Sequence, residues 1–170
     1  MSLADIGRFR FPVEAKDARF RALFDYWAGK APPDKLPGRQ HIDPVEMRSF
    51  LPYLRLIDVV RDGDSYRFRY RLIGSHVADL HGQSEIGRYI DQYALPDHYK
   101  KTFYPDMMAL LQTRQPHFAV RRSPVRLQNF TAYQRLNLPL ASNGVDVDMV
   151  LGMHIGVRSD GTLMDADRFR

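Results

Sequence analysis

Cysteine is absent from this chain of 170 residues. Its absence excludes a disulfide scaffold, a zinc site with cysteine ligands and a catalytic thiol. Long apolar runs are also lacking. No stretch approaches the roughly 18 residues that a membrane-spanning helix requires, and the N-terminus has no apolar segment typical of a signal peptide. We therefore expect a cytoplasmic protein with one domain, because a domain commonly holds ~150 residues.

Acidic residues are too few to balance the basic ones. The chain has 20 Asp and Glu and 25 Lys and Arg, which gives a net charge of +5. The imbalance is local, because residues 114–135 contain five arginines and no acid. We interpret Arg121, Arg122, Arg126 and Arg135 as a candidate basic docking face for an acidic protein partner. The alternative is a solvated sheet face on which arginine stems cover apolar surface. Nucleic acid is disfavoured, since no base-reading motif accompanies the arginines.

Apolar residues recur with helical spacing near the N-terminus. Phe20, Leu23, Phe24 and Trp27 fall at positions i, i+3, i+4 and i+7, which predicts a helix over residues 15–28 with one apolar face. Such a stripe is too apolar to stay in water. It packs either on the chain's own sheet or against a second copy, and we treat these four residues as the candidate interface of a homodimer.

The rest of the chain alternates between strand and helix patterns. Strands are predicted at 54–60 and 66–72, joined by a hairpin turn, and at 117–127, 131–140 and 148–157. Between the two groups lie short helical turns and a longer helix that Pro105 interrupts. Asp43 and Pro44 are predicted to open a short helix that ends at Pro52. The order predicts an α+β fold, with a five-stranded antiparallel sheet and helices on one face.

Breaks in composition divide the chain into three predicted parts. Residues 31–40 are rich in Pro and Gly, which is typical of a linker. We therefore assign residues 1–40 to an N-terminal arm, helix and linker, residues 41–157 to the main domain, and residues 158–170 to a polar tail.

Several short motifs occur together in a recognisable order. They are Ile42-Asp43-Pro44, Leu51-Pro52-Tyr53-Leu54, Ile57-Asp58-Val59, Phe68-Arg69-Tyr70-Arg71-Leu72-Ile73-Gly74-Ser75, the segment from Gly82 to Gly87-Arg88-Tyr89, Leu138-Pro139-Leu140, and Met149-Val150-Leu151-Gly152. With this element order, the chain resembles the single-domain PAS-like proteins of alphaproteobacteria over roughly residues 15–157. The resemblance implies a PAS-like sensory or protein-interaction module and names no ligand, because one fold serves many functions.

Aromatic and methionine residues of the helical region must face the sheet. They predict either a closed core or a pocket for a small apolar or aromatic metabolite, to which tyrosine hydroxyls would supply polar groups. The candidate pocket residues are Tyr70, Tyr89, Tyr93, Phe103, Met107, Leu111 and Met153.

The histidines provide little support for a metal or cofactor. His76 and His81 are five residues apart, whereas two ligands on one helical face need a spacing of three or four, so we expect no metal site. His98 opens the longer helix, where some PAS domains bind haem, but one histidine is a weak signal and we do not expect haem. Covalent flavin photochemistry is excluded because it requires a cysteine. The cofactor is otherwise unknown.

Enzyme motifs are missing as well. The sequence has no P-loop, no Gly-x-Ser-x-Gly and no His-Glu-x-x-His. We therefore expect a non-catalytic module that senses a ligand or binds a signalling protein, and that passes its signal on by contact, because the 170 residues contain no output domain. The alternative is a small-molecule carrier, or an enzyme of a related α+β fold.

Overall fold

A computed structural model describes residues 8–81, 85–92, 94–127 and 130–165. Five strands are present: β1 (Leu54–Asp62), β2 (Ser65–Ile73), β3 (His117–Leu127), β4 (Phe130–Leu140) and β5 (Met149–Val157). The α-helices are α1 (Ala18–Gly29), α2 (Ser75–His81), α3 (Pro96–His98) and α4 (Tyr104–Thr113). Short 3₁₀ turns occupy Arg39–His41, Leu51–Tyr53 and Ile90–Gln92, and one π-helical segment spans Tyr99–Phe103.

The strands form one antiparallel sheet in the order β2-β1-β5-β4-β3. The chain's last strand, β5, is central and joins the hairpin β1-β2 to the hairpin β3-β4. A tight turn closes the first hairpin at Gly63, whose φ of +60° favours glycine. The outer edge of β2 is partly covered, since the backbone of Tyr70 exchanges hydrogen bonds with Gly87 and Arg88. The predicted α+β fold and its antiparallel sheet are confirmed.

Both faces of the sheet are buried, each by a different part of the chain. Leu138, Leu151 and Met153 lie on the face that α1 covers. Ile57 and Val150 lie on the opposite face, under the helical segment from α2 to α4. Alternation along each strand produces the two faces, because successive side chains point in opposite directions.

Helix α1 packs on the sheet of its own chain. Asp17 caps the helix by accepting a hydrogen bond of 2.9 Å from the backbone N–H of Arg19. Trp27 is fully buried, and its Nε1–H donates to the carbonyl of Pro139 on β4 at 2.9 Å. Phe20, Leu23 and Phe24 are buried beside it. The four residues are therefore unavailable to a partner, and our interface prediction for them is wrong. The sheet of the same chain buries this apolar stripe.

The long helical region is interrupted next to Pro105, as predicted. The segment Tyr99–Phe103 has π-helical geometry, and α4 begins at Tyr104 with Pro105 in its first turn. Proline has no N–H to donate to the preceding turn. The hydroxyl of Thr102 donates to the carbonyl of His98 at 2.6 Å inside this segment.

The region after Asp43 and Pro44 forms turns, so the prediction of a short helix there is wrong. Asp43 Oδ1 nevertheless accepts a hydrogen bond of 2.8 Å from the backbone N–H of Val45, as a helix cap would. The division of the chain at residue 40 stays a prediction.

Within the described ranges, no helix has the length and apolar character to cross a membrane.

Candidate functional site

A cavity of about 210 Å³ lies between the sheet and the helical region. The helical side contributes Leu80, His81, Glu85, Ile90, Ala94, Leu95, His98 and Phe103. The sheet contributes Arg55, Tyr70, Ser123, Pro124, Phe130, Tyr133, Arg135 and His154. The lining is mostly apolar and aromatic with a few polar groups, which is the usual character of a small-molecule site.

Arg55 is the most unusual residue of the cavity wall. Only 1% of its surface is exposed, and its side chain lies across the sheet from β1. Its Nη2 donates to Asn137 Oδ1 at 3.0 Å, and its Nη1 reaches the hydroxyl of Tyr70 at 3.4 Å. Its Nε–H has no hydrogen-bond partner among the residues that the structure describes. Burial, as the main cause, lowers the pKa of Arg55 below its ordinary value.

Gly152 on β5 makes room for this arginine. A Cβ at that position would lie 2.8 Å from Nε of Arg55 and 3.0 Å from Oδ1 of Asn137. Real side chains do not approach that closely, so the guanidinium can lie flat over the central strand only because residue 152 is glycine.

A second buried arginine lines the cavity from β4. Arg135 is 2% exposed and donates through Nη2 to Asp106 Oδ2 at 2.6 Å. The same carboxylate accepts from Arg121 on β3 at 2.5 Å and 3.1 Å. One aspartate of α4 therefore serves two arginines of the sheet. The Nε–H of Arg135 has no hydrogen-bond partner.

Phe103 lies between the two cavity arginines. The Cζ of Arg55 is 6.0 Å from the centre of the Phe103 ring, and the Cζ of Arg135 is 5.5 Å from it. A ring face attracts a nearby cation. Phe103 ends the π-helical segment and His98 directly precedes it, and both side chains line the cavity.

Three histidines line the cavity and are held uncharged at neutral pH. Burial, together with the charges of Arg55 and Arg135, lowers the pKa of His81 to about 4. Burial, with the charges of Arg135 and Arg121, lowers the pKa of His98. Burial, with the charge of Arg55, lowers the pKa of His154 well below its ordinary value. His98 Nε2 is 2.8 Å from the hydroxyl of Tyr133, and the Tyr133 and His154 rings are 4.3 Å apart. The fixed positive charge of the site therefore comes from arginine.

The structure brings only part of the predicted pocket together. Tyr70 and Phe103 line the cavity. Met107 and Leu111 pack in the adjacent core, and Tyr89 stacks under Arg67, whose Cζ is 3.9 Å from its ring centre. Met153 lies on the opposite face of the sheet with α1. The prediction for Met153 is therefore wrong, since both faces of β5 are apolar and the pattern does not show which of them is turned toward the helical region. Tyr93 lies outside the described residues.

The predicted basic docking face is not formed. Arg121 and Arg135 point toward α4 and bind Asp106. Arg122 follows Arg121 directly on β3 and therefore points to the other face. Arg135 is buried and has no contact with solvent to offer a partner. The side chain of Arg126 lies outside the described part. The prediction of one surface is therefore wrong, because alternation divides neighbouring residues of a strand between its faces.

The remaining histidine predictions are resolved in part. His76 is buried, accepts a hydrogen bond of 3.3 Å from the backbone of Gly156, and packs on the Tyr53 ring, whereas His81 faces the cavity. In the part of the chain that the structure describes, no three His, Asp or Glu side chains are arranged to hold a metal ion.

Sequence reasoning missed Arg55, Tyr133 and His154 as site residues. A signal was present for the arginine, because Arg55 is the one cationic residue inside the apolar run Leu54–Val60, two positions from the inward-facing Ile57. No local signal marked the other two, which a strand pattern assigns equally well to either face.

Comparison with known proteins agrees with this architecture. The family model for the PAS domain matches residues 15–155 of the chain. A solved light-oxygen-voltage domain, whose mechanism was studied with a flavin analogue, is similar at 15% identity with a TM-score of 0.48, covering 68% of this chain and 84% of that one. No curated protein matches. Since the family model spans most of its length, the chain belongs to the PAS domain family, a family of sensory and interaction modules.

Proposed function

We propose that this PAS domain senses a small molecule that binds in the cavity between the sheet and the helical region. The observation that carries the proposal is the cavity of about 210 Å³, lined by rings and by buried polar groups that are only partly hydrogen-bonded. A closed core would leave no such volume, because protein interiors are packed as densely as organic crystals.

The size of the cavity limits the ligand. An apolar cavity of about 150 Å³ accommodates benzene. A cavity of about 210 Å³ therefore matches one ring, or a branched chain of similar bulk, with a small polar group. The three fused rings of a flavin and the macrocycle of a haem are larger than this, and His98, the candidate haem ligand, is already hydrogen-bonded to Tyr133.

The cavity is placed to convert binding into a change of shape. Half of its lining comes from the segment between α2 and α4, and half from the rigid sheet. A ligand that contacts both parts favours the arrangement in which they fit it best, which shifts the population of conformations. Asp106 extends the link, since it joins α4 to β3 and β4 through Arg121 and Arg135.

We further propose that the domain acts without catalysis and signals by contact with a partner. PAS folds are typically non-catalytic sensory domains that dimerise or bind other proteins. A second copy would need a surface other than the α1 stripe, which is buried. A carrier or an enzyme is the alternative; turnover of a bound ligand would favour the enzyme.

Native mass spectrometry and thermal shift test the proposal. The wild-type protein is expected to retain a small molecule from the cell, or to gain thermal stability with one-ring probes such as toluene and benzoate. The variant Ala94→Phe places a ring in the cavity and should abolish both effects. Val145→Phe, on an exposed residue, is the matched control. Absence of every bound molecule and of every shift in the wild type would exclude a ligand sensor.

A further inference from the structure

Arg55 is a buried cation without an anion. Among the described residues, no carboxylate lies within ion-pair distance of it, and its hydrogen-bond partners Asn137 and Tyr70 are uncharged. A guanidinium stays charged in proteins, and removing an unpaired charge from water is costly unless a counter-charge compensates. Folded proteins rarely bury an arginine in this way.

The charges around the cavity do not balance. Arg55, Arg121 and Arg135 contribute three positive charges, and Asp106 is the carboxylate that binds the last two. The cluster therefore carries 3 − 1 = +2. Glu85, an acid that lines the cavity, accepts a hydrogen bond of 2.9 Å from Arg88 and so has its own cation. The three cavity histidines supply no negative charge.

Open donors accompany the excess charge. The Nε–H groups of Arg55 and Arg135 are both buried without a hydrogen-bond partner, and both residues line the cavity. A carboxylate accepts two parallel N–H bonds from one guanidinium, which gives strength and fixes orientation. Phe103, Ile90 and Phe130 offer apolar surface for the rest of such a ligand.

We infer that the ligand is a small monocarboxylate with an aromatic or branched aliphatic body, and that its carboxylate binds Arg55. The inference rests on the proposed function and specifies its ligand class. The volume of about 210 Å³ admits one ring with a carboxylate. A single negative charge reduces the excess from +2 to +1, and the Nε–H of Arg55 receives an acceptor.

Isothermal titration with matched probes tests this assignment. Benzoate, phenylacetate and 3-methylbutanoate are compared with the neutral benzamide, benzyl alcohol and 3-methylbutanamide. The wild type should bind at least one of the carboxylates more than about 30-fold tighter than its neutral partner, because a buried charge pair is worth that much or more. Arg55→Met should lose this preference and keep its affinity for benzyl alcohol. Arg122→Met, on an exposed arginine, should behave as the wild type.

The other outcomes of this titration contradict either the assignment of the carboxylate to Arg55 or the small carboxylate as the ligand. If the neutral probes bind as tightly as the carboxylates, or if Arg55→Met binds carboxylates unchanged, the assignment to Arg55 is wrong while the cavity remains a ligand site. If no probe of either kind binds, the assignment of a small carboxylate fails, and the native mass spectrum decides separately whether the cavity holds another ligand. Should Arg55→Met not fold, Gly152→Ala serves as the second variant, since the added methyl displaces the guanidinium and leaves the charge in the protein.

Discussion

Arg55 on β1 and Asn137 on β4 are joined by a hydrogen bond of 3.0 Å, although β5 separates their strands in the sheet. The arginine side chain crosses the central strand over Gly152 to reach the amide oxygen. This crossing places a guanidinium in the floor of the cavity, where its Nε–H has no hydrogen-bond partner. The central strand therefore accommodates a buried cation at the wall of the cavity.

The first prediction concerns the stability of the unliganded protein. Arg55→Met should raise the free energy of unfolding by about 1 kcal/mol or more, because replacing buried charge by well-packed apolar atoms is often stabilising. Urea denaturation without ligand measures the change, and Arg122→Met is the exposed control. A loss of stability would show that Arg55 has a structural role, which its hydrogen bonds to Asn137 and Tyr70 would then provide.

Gly152→Ala tests the crossing itself. The new Cβ would lie 2.8 Å from Nε of Arg55, so the side chain must move toward the cavity. We expect the variant to fold and to bind benzoate at least about 10-fold more weakly, which corresponds to a loss of about 1.4 kcal/mol. Gly29→Ala is the control, since a Cβ at that helix terminus meets no atom within 4 Å. Unchanged benzoate affinity would show that binding does not depend on the position of the Arg55 guanidinium over β5.

Asp106→Asn should be strongly destabilising. The carboxylate is 4% exposed and accepts hydrogen bonds from Arg121 and Arg135, so its neutralisation leaves Arg135 buried without a charged partner. The expected cost is about 3 kcal/mol in the free energy of unfolding. Asp25→Asn breaks an exposed pair with Arg21 and should cost less than about 0.5 kcal/mol. Similar small losses in both variants would argue that α4 is not held through Asp106.

Stability should fall as the pH decreases from about 6.5 toward 4. Burial lowers the pKa of His76 and His81 to about 4, from an ordinary value of 6.5. In that window the unfolded chain binds protons that the folded chain does not. The free energy of unfolding is therefore unaffected by these histidines above pH 6.5. As the pH falls below 6.5, it decreases by up to about 1.4 kcal/mol per pH unit for each histidine.

Urea denaturation between pH 5 and 7 measures this slope. His81→Gln should make it shallower, because one of the histidines with a lowered pKa is removed. Benzoate adds a second test, since an anion near Arg55 offsets part of the positive potential at His81 and should raise its pKa in a proton NMR titration. A flat pH profile, or an unmoved His81 titration with benzoate bound, would contradict the proposed electrostatics of the cavity.

Trp27 decides how the N-terminal helix is used. Trp27→Ala should cost about 3–5 kcal/mol, because it removes a fully buried ring and its hydrogen bond to Pro139. Thermal unfolding measures the loss, and light scattering should show the same oligomeric state for wild type and variant. Trp27→Phe is the milder control that keeps a ring. Dissociation of a dimer by either variant would mean that α1 packs between two copies.

Periodicity alone located most of the elements. The strands at 54–62, 65–73 and 149–157 and the helix carrying Trp27 lie within a few residues of their predicted positions. Each has an alternation or a helical spacing that physical geometry imposes on a buried face. The turns after Asp43 escaped prediction because a capping residue and a proline occur in turns as readily as in helices.

Periodicity predicted fewer of the residues of the candidate site. Tyr70 and Phe103 were found because aromatic residues opposite a sheet commonly line a pocket, whereas Met153 was placed on the wrong side of β5. Both faces of that strand are buried, so its pattern does not distinguish the face toward α1 from the face toward α2–α4. Arg121 and Arg135 were assigned to solvent because arginine usually lies there.

The sequence by itself determined the fold class, the PAS resemblance, the absence of cysteine chemistry and the net positive charge of residues 114–135. Only the tertiary structure decided that α1 covers its own sheet, that Asp106 binds two of the arginines, and that Arg55 lies buried beside a cavity with no carboxylate partner among the described residues. Local patterns follow from the repeat of helix and strand, which neighbouring residues set. The pairing of charges depends on which residues of distant strands share a face, and only the closed sheet brings Arg55, Asn137 and Gly152 together.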